Sequence, residues 1–221
     1  MNSFAEHVIE VFSQHSDEAN AKKMAAYMKN KFSFYGIKSP LRNEISKPFM
    51  KIKIRDTADL REIVQDLWDQ PHRELHYLAM ELLHRHRRLL SPADLDFLQQ
   101  LITTNSWWDT VDNLASKVVG LLLLKFPDEM KAWSRKWIKS DNLWLNRTAI
   151  IFQLKYKEEV DTELLTEAIE AHAHSKEFFH GKAIGWALRQ YSKVRPGWVT
   201  QFIGSQELQP LSVREGRKYM S

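Results

Sequence analysis

The hydrophobic residues of this chain recur at steps of three and four along nearly its whole length, which constrains the fold more than any other feature. Such spacing is typical of amphipathic α-helices. Seven glycines and seven prolines among 221 residues argue against a fold rich in strands and tight turns. We therefore expect an all-α protein, with helices over residues 3–15, 17–31, 39–54, 57–69, 71–88, 92–103, 106–125, 128–138, 141–157, 161–173, 176–193, 196–204 and 211–220.

Many of the predicted helices begin at residues that favour helix N-termini. Small polar residues accept hydrogen bonds from the first free N–H groups, and proline fits the first helical turn. The candidates are Ser39-Pro40, Asp56-Thr57, Ser91-Pro92, Ser106, Pro127-Asp128, Asp141 and Asp161. Ser106, with Asp109 three residues later, forms a capping-box pattern. That pattern predicts Trp108 in the first turn of a helix and Asp112 in the second.

Helical segments in the second half repeat at a nearly constant interval. Trp108, Trp144 and Phe179 each lie near a predicted helix start and are spaced by 36 and 35 residues, and Arg147 and Lys182 are 35 apart. A repeat of this length with two helices per unit indicates an α-solenoid of HEAT-like repeats, whose stacking gives a concave surface. Since no Gly/Ser linker divides the chain, we expect one domain over residues 1–221.

Composition excludes several classes of protein. Hydrophobic residues at 43% and charged residues at 27% are typical of a globular protein, and the absence of cysteine excludes disulfides and thiolate chemistry. No apolar run approaches the ~18 residues of a membrane span, and the N-terminal residues do not resemble a secretion signal. We expect a cytoplasmic protein. The net charge of +4 is mild evidence for a polyanionic partner.

Two adjacent tryptophans predict different environments. Trp107 shares a helical face with Val111 and Leu114, as a core residue does, whereas Trp108 lies four residues before Asp112. That spacing places an indole and a carboxylate one turn apart on the same face. A carboxylate repels nucleic acid, so it predicts that something positively charged forms or docks beside it.

A stripe of aromatic and cationic residues follows the last long predicted helix. Its members recur at steps of three or four: Phe179, Lys182, Trp186, Arg189 and Lys193. A stripe lining a phosphate-rich groove would carry such cations. A solvated face with two aromatic rings at its edge is an equally good interpretation of this helix alone.

Long stretches of the sequence resemble the AlkD-type DNA alkylation repair glycosylases, which are built from HEAT-like repeats. The matching segments are residues 26–30, 34–37, 67–69, 106–112, 140–147, 152–157, 175–179 and 182–186. Lys38 is a departure, because relatives can carry glutamine there in a loop near the opposite DNA strand.

This resemblance implies a monofunctional DNA glycosylase of base excision repair. It would hydrolyse the bond to cationic N3- or N7-alkylated purines, such as 3-methyladenine and 7-methylguanine, in duplex DNA without base flipping. The implied catalytic residues are Asp112, Trp108 and Trp186, with Arg147 pairing with a backbone phosphate. Further implied DNA contacts, each of which could equally be structural, are Tyr27, Lys155, Phe178, Phe179, Lys182 and Arg189. No cofactor or metal is implied, and we expect a nucleoid-associated monomer.

Three alternatives remain at the sequence level. His72 and His76 have a spacing that could bind a metal, although histidines on a helix surface explain them more simply. A relative that binds distorted or damaged DNA without catalysis would share the fold, but here the two tryptophans and the aspartate are all present. A HEAT scaffold for proteins would instead expose apolar or acidic residues in its groove.

Overall fold

A computed structural model describes residues 1–220. They form fourteen α-helices: α1 Ser3–Gln14, α2 Glu18–Tyr27, α3 Ser39–Ser46, α4 Thr57–Trp68, α5 Arg73–Arg85, α6 Leu95–Thr103, α7 Trp108–Asn113, α8 Gly120–Leu123, α9 Pro127–Ile138, α10 Leu143–Ile151, α11 Thr162–Glu170, α12 Phe178–Ser192, α13 Pro196–Ser205 and α14 Pro210–Gly216. Within the described residues the β structure is limited to one isolated bridge, between Ser33 and His72. The expectation of an all-α protein is confirmed.

Most of the predicted helices form within a few residues of their expected ends. The side chains of Asp56 and Asp161 accept hydrogen bonds from the N–H groups of Asp59 and Leu164, as the sequence predicted for these N-caps. The cap of α10 is Asn142 rather than Asp141, and Asn142 accepts from two backbone N–H groups. Local capping therefore helps to fix these helix starts.

Several predicted helices are interrupted, and two of them have a clear local cause. The segment 39–54 forms α3 and then a short 3₁₀ turn, Phe49–Lys51, because Pro48 lacks the N–H that a continuing α-helix needs. The segment 141–157 ends as a helix at Ile151, and a 3₁₀ turn follows at Lys157–Glu159. Lys157 has a φ of 54°, a left-handed conformation that a helix cannot contain.

The first of two compact units spans Met1–Leu90 and contains α1 to α5. α4 and α5 pack together around buried residues such as Leu67 and Leu78. The buried carboxylate of Glu74 accepts hydrogen bonds from the backbone N–H groups of Tyr35, Gly36 and Ile37, which fixes the loop before α3. Buried His76 contacts Arg73 and the carbonyl oxygen of Gln70, so the prediction that it lies on a helix surface was wrong.

The second unit begins at Ser91 and contains α6 to α14. α12 lies among α10, α13 and α14. Gly185 permits the close approach of α14, because a Cβ atom there would overlap the side chain of Glu215. The candidate site belongs to this unit. The expectation that residues 1–221 form a single domain stays a prediction.

Among residues 1–220, no helix combines the length and the apolar character that crossing a bilayer requires. The same residues contain no group of three or more His, Asp or Glu side chains that could hold a metal ion.

Candidate active site

The helix that carries the predicted catalytic pair begins one residue later than expected. Trp107 is the N-cap of α7 and has no side-chain capping bond. The Ser106 hydroxyl donates instead to the carbonyl oxygen of Ile102, in the preceding helix. The predicted capping box at Ser106 is therefore wrong, because this serine closes the end of α6. Trp108 still opens α7, and Asp112 still lies one turn beyond it.

The indole of Trp107 is buried, as its core pattern predicted, in a cluster of three aromatic rings. Its ring centroid lies 5.7 Å from that of Trp144 and 5.2 Å from that of Phe179. Trp144 and Phe179 are themselves 5.0 Å apart. Two of the three positions that marked the repeat in the sequence, Trp144 and Phe179, thus meet in one contact, and the third ring is that of Trp107 rather than Trp108.

Asp112 forms a two-pronged ion pair with Arg147 of α10. Its Oδ1 lies 2.6 Å from Arg147 Nε and its Oδ2 lies 2.8 Å from Arg147 Nη2. The Arg147 side chain is 5% exposed and that of Asp112 is 16% exposed. Paired, hydrogen-bonded geometry of this kind fixes the carboxylate in position and keeps a buried guanidinium compensated.

Arg147 reaches a second partner through its remaining nitrogen. Nη1 donates to the backbone carbonyl oxygen of Phe179, at 2.7 Å. This contact ties α10 to the first turn of α12, so that one arginine joins α7, α10 and α12. Asp112 and Arg147 are 35 residues apart, the length of the repeat, so they occupy equivalent positions in consecutive repeats.

The chain changes helical geometry directly after the site. Residues Leu114–Val119 form a π-helix, with α8 following at Gly120. Within this segment the hydroxyl of Ser116 donates to the backbone carbonyl oxygen of Asp112, at 2.6 Å. π segments are rare and occur often at functional sites, since they re-aim the side chains of the preceding turn.

Asp112 also lines a cleft of about 350 Å³ together with Trp108 and Trp186. Both tryptophans are half-buried. The remaining wall is largely polar and includes Asp109, Asn113, Ser116, Lys117, Leu154, Lys155 and Gln190. The structure therefore brings the three predicted catalytic residues to one cavity, with the carboxylate at its edge and the guanidinium behind it.

Burial raises the pKa of the Asp112 carboxyl, because desolvation disfavours its charged form, and the hydrogen bonds and charge of Arg147 oppose that rise. An ionised carboxylate offers about four lone-pair positions. Arg147 uses two of them. The others are available to a group in the cleft.

Two of the predicted DNA-binding cations on α12 share a partner that the sequence did not suggest. Lys182 Nζ lies 3.0 Å from Glu215 Oε1, and Arg189 Nη1 lies 2.7 Å from Glu215 Oε2. These contacts lower the pKa of Glu215. No sequence pattern marked Glu215, because its position depends on α14 packing across Gly185. The positive charge of the stripe on α12 is thus partly neutralised by the Glu215 carboxylate of α14.

The other predicted DNA contacts lie in varied surroundings. Lys155 is exposed and lines the cleft, whereas Phe178 is 59% exposed beside half-buried Phe179. Tyr27 lies at the end of α2, in the first unit, and is 72% exposed. The roles of all these residues in DNA binding stay predictions.

The fold and the cleft define an all-helical repeat protein with an aromatic and acidic site in its second unit. The sequence profile of a family described as DNA alkylation repair enzymes matches residues 8–220. A solved structure described as a predicted DNA alkylation repair enzyme from Enterococcus faecalis is 32% identical, with a TM-score of 0.86. The match covers 93% of this chain and 97% of that one. No protein of curated function matches. The chain belongs to the DNA alkylation repair enzyme family.

Proposed function

We propose that this protein is a DNA glycosylase that removes cationic N3- and N7-alkylated purines from duplex DNA. The observation that carries the proposal is a carboxylate, Asp112, held by Arg147 at the edge of a cleft that Trp108 and Trp186 also line. Family membership supports an enzyme of DNA alkylation repair. The choice of reaction and substrate is our inference from the chemistry of these side chains.

The chemistry needs little acid catalysis. Alkylation at N3 or N7 makes the purine positively charged, so it leaves as a neutral base when the glycosidic C1′–N bond breaks. The deoxyribose then develops oxocarbenium character, and a carboxylate stabilises such charge. Water adds its oxygen to C1′ and loses a proton, which leaves an abasic site. The lone pairs of Asp112 that Arg147 does not use would face the sugar and orient this water.

Trp108 and Trp186 would flank the deoxyribose. An aromatic face attracts a cation with roughly 0.5–2 kcal/mol, and more when water is excluded. The attraction grows as the sugar becomes cationic, so these rings would stabilise the transition state more than the ground state. We propose that the sugar is engaged in this way from the duplex, without extrusion of the alkylated base into a pocket.

Arg147 would act by positioning Asp112. Its guanidinium is 5% exposed and already contacts Asp112 and the carbonyl oxygen of Phe179. Pairing with a DNA phosphate, the role expected from the sequence, would require the arginine to extend one of these nitrogen atoms toward the strand as well. That role stays a prediction, which the salt dependence of binding tests separately.

Asp112→Asn tests the proposal. The amide keeps the shape of the side chain but removes its charge, so we expect release of 7-methylguanine from methylated duplex DNA to slow by roughly 100-fold or more. Binding to undamaged duplex should change little. Exposed Asp128→Asn on α9 serves as the matched control and should release base at the wild-type rate. Release by Asp112→Asn at that same rate would refute the catalytic role.

The variant also removes the partner of a buried arginine, which can cost up to about 3–5 kcal/mol of stability. The double variant Asp112→Asn/Arg147→Gln leaves no buried charge and separates misfolding from lost catalysis. It should melt more cooperatively than the single variant and still release no base above background.

A non-catalytic protein that binds distorted or damaged DNA is the alternative. The same base-release measurement distinguishes it, because a passive binder would retain damaged duplex without freeing alkylpurine.

We further propose that catalysis is monofunctional and that the protein acts as a monomer in the nucleoid. Lys117 and Lys155 line the cleft, so the absence of strand cleavage is a necessary check. A lysine acting as nucleophile would form an imine with C1′, which borohydride would trap as a covalent protein–DNA adduct. We expect no such adduct.

A further inference from the structure

A second pocket adjoins the candidate active site on the far side of Leu154, Lys155 and Gln190. These three residues line both cavities, so the two are continuous along one wall. The second pocket also has a volume of about 350 Å³ and lies among α10, α11, α12 and the segment that follows α10. Neither the proposed catalysis nor the expected DNA contacts other than Lys155 use it.

The lining of this second pocket combines an apolar floor with a cationic rim. Leu154, Leu165, Ala187 and Val194 contribute to the floor. The rim carries three exposed lysines, Lys155, Lys157 and Lys193, against the single carboxylate of Glu158. An excess of positive charge around an apolar surface fits a ligand with an anionic group and a hydrocarbon face.

The backbone holds one of these lysines in a conformation that it would not adopt freely. Lys157 has a φ of 54°, a conformation that is costly for residues other than glycine. The preceding Tyr156 is buried and donates its hydroxyl hydrogen to the carbonyl oxygen of Gly120, at 2.7 Å, which anchors the turn. On the opposite rim, Lys193 Nζ donates to Gln190 Oε1, at 3.0 Å. Both lysines are thus held beside the pocket.

We propose that this pocket binds the sugar and phosphate of a nucleotide flanking the lesion, on the damaged strand. Lys157 and Lys193 would contact the phosphodiester, and the deoxyribose would lie over the apolar floor. The inference rests on the proposed function. When the sugar of the damaged nucleotide lies in the first cleft, the same strand would run along the shared wall into the second pocket. The lysine-rich rim disfavours a cationic occupant.

The first measurement is the affinity for a duplex that contains a stable abasic-site analogue, across a range of salt concentrations. Lys157→Ala and Lys193→Ala should each weaken binding about fivefold to tenfold near 0.1 M salt and reduce the slope of log K against log salt by about 0.9. Lys131→Ala removes the same charge from an exposed position on α9 and should leave both quantities unchanged. Equal losses in all three variants would reduce the effect to general charge and overturn the proposal.

The second measurement locates the phosphate. Neutral methylphosphonate linkages are placed one at a time along the damaged strand. At one position beside the lesion, wild-type affinity should fall to that of Lys157→Ala, and the variant should be insensitive to the change. If Lys157→Ala loses as much affinity as the wild type for each methylphosphonate position, the pocket does not hold a strand phosphate. A wild-type protein that binds no duplex at all would instead contradict the proposed function.

A free nucleotide is the other source of the same chemistry. Addition of dAMP at millimolar concentration should displace no more duplex than sodium chloride at matched ionic strength. Specific displacement, lost in Lys193→Ala, would assign the pocket to a soluble mononucleotide and overturn the assignment to DNA.

Discussion

Arg147 couples the proposed catalytic carboxylate to the packing of the second unit through three hydrogen bonds. Two hold Asp112 and the third holds the backbone of Phe179. A surface arginine would exchange such partners with water, whereas this one is 5% exposed. The position of the carboxylate is therefore set by side-chain geometry inside the protein, before DNA arrives, as electrostatic catalysis requires.

The pH dependence of base release should report this coupling. In the proposed mechanism only ionised Asp112 stabilises the sugar cation, so the rate should fall as the pH drops through the pKa of this carboxyl. Burial raises that pKa above the ordinary value for aspartate of about 3.9, and Arg147 limits the rise. Arg147→Ala removes that limit and should move the acid limb to higher pH, with Arg147→Lys between the two. Single-turnover rates at varied pH measure the limb.

An acid limb that stays in place in Arg147→Ala would mean that Asp112 is not the titrating group. The salt dependence of DNA binding by the same variant addresses the phosphate contact independently. A slope smaller in magnitude by about 0.9 would show that Arg147 also pairs with the strand.

Helix contacts in the second unit depend on the absence of a side chain at Gly120. This residue follows the π segment, and a Cβ atom there would overlap the carbonyl oxygen of Phe152. The hydroxyl of Tyr156 reaches the Gly120 carbonyl oxygen from the same side. The first residue of α8 thus lies directly against the segment that follows α10 and leads to Lys155 and Lys157.

Gly120→Ala should lower the free energy of unfolding by about 1–3 kcal/mol, because a rigid backbone atom must move to admit the methyl group. Gly204→Ala on α13 is the matched control, since its added Cβ would meet no atom within 4 Å. Alanine in a helix there should stabilise by about 0.5–1 kcal/mol. Urea unfolding compares the two, and equal effects would contradict the close contact.

The distribution of charge over the molecule differs from what the sequence alone suggested. A net charge of +4 and a stripe of cations on α12 predicted an electrostatic surface for DNA. In the structure Glu215 contacts both Lys182 and Arg189, so one carboxylate offsets part of the field that the stripe would produce. Such an arrangement weakens non-specific attraction while it keeps both cations ordered.

Glu215→Gln should raise the affinity for undamaged duplex, because the two cations become available to phosphates. The slope of log K against log salt should become steeper by up to about 0.9. Glu207→Gln makes the same change in net charge at an exposed site and should have a much smaller effect. Fluorescence anisotropy at several salt concentrations gives both values. Identical slopes in the two variants would indicate that Lys182 and Arg189 do not face DNA.

Periodicity predicted most of the helices, since spacing and capping are local properties of the chain. The 35-residue repeat placed Arg147 and Lys182 at equivalent positions. It could not show that Arg147 turns inward to Asp112, because that depends on how α7, α10 and α12 pack. The partners of Lys182 and Arg189 were missed for the same reason. The role of Ser106 was wrong because this residue lies between two helices, and its hydroxyl bonds to the end of α6 instead of capping α7.

The π-helix at Leu114–Val119 makes the number of residues in this segment matter as well as their identity. Each residue of an α-helix advances the chain by about 100° around the axis, and a π segment accommodates a surplus residue. Deleting one residue here would restore the regular hydrogen-bond pattern of an α-helix. It would also rotate Trp108 and Asp112 around the helix axis relative to Gly120. The side chains of the tryptophan and the aspartate would then point elsewhere, even where the helix itself still formed.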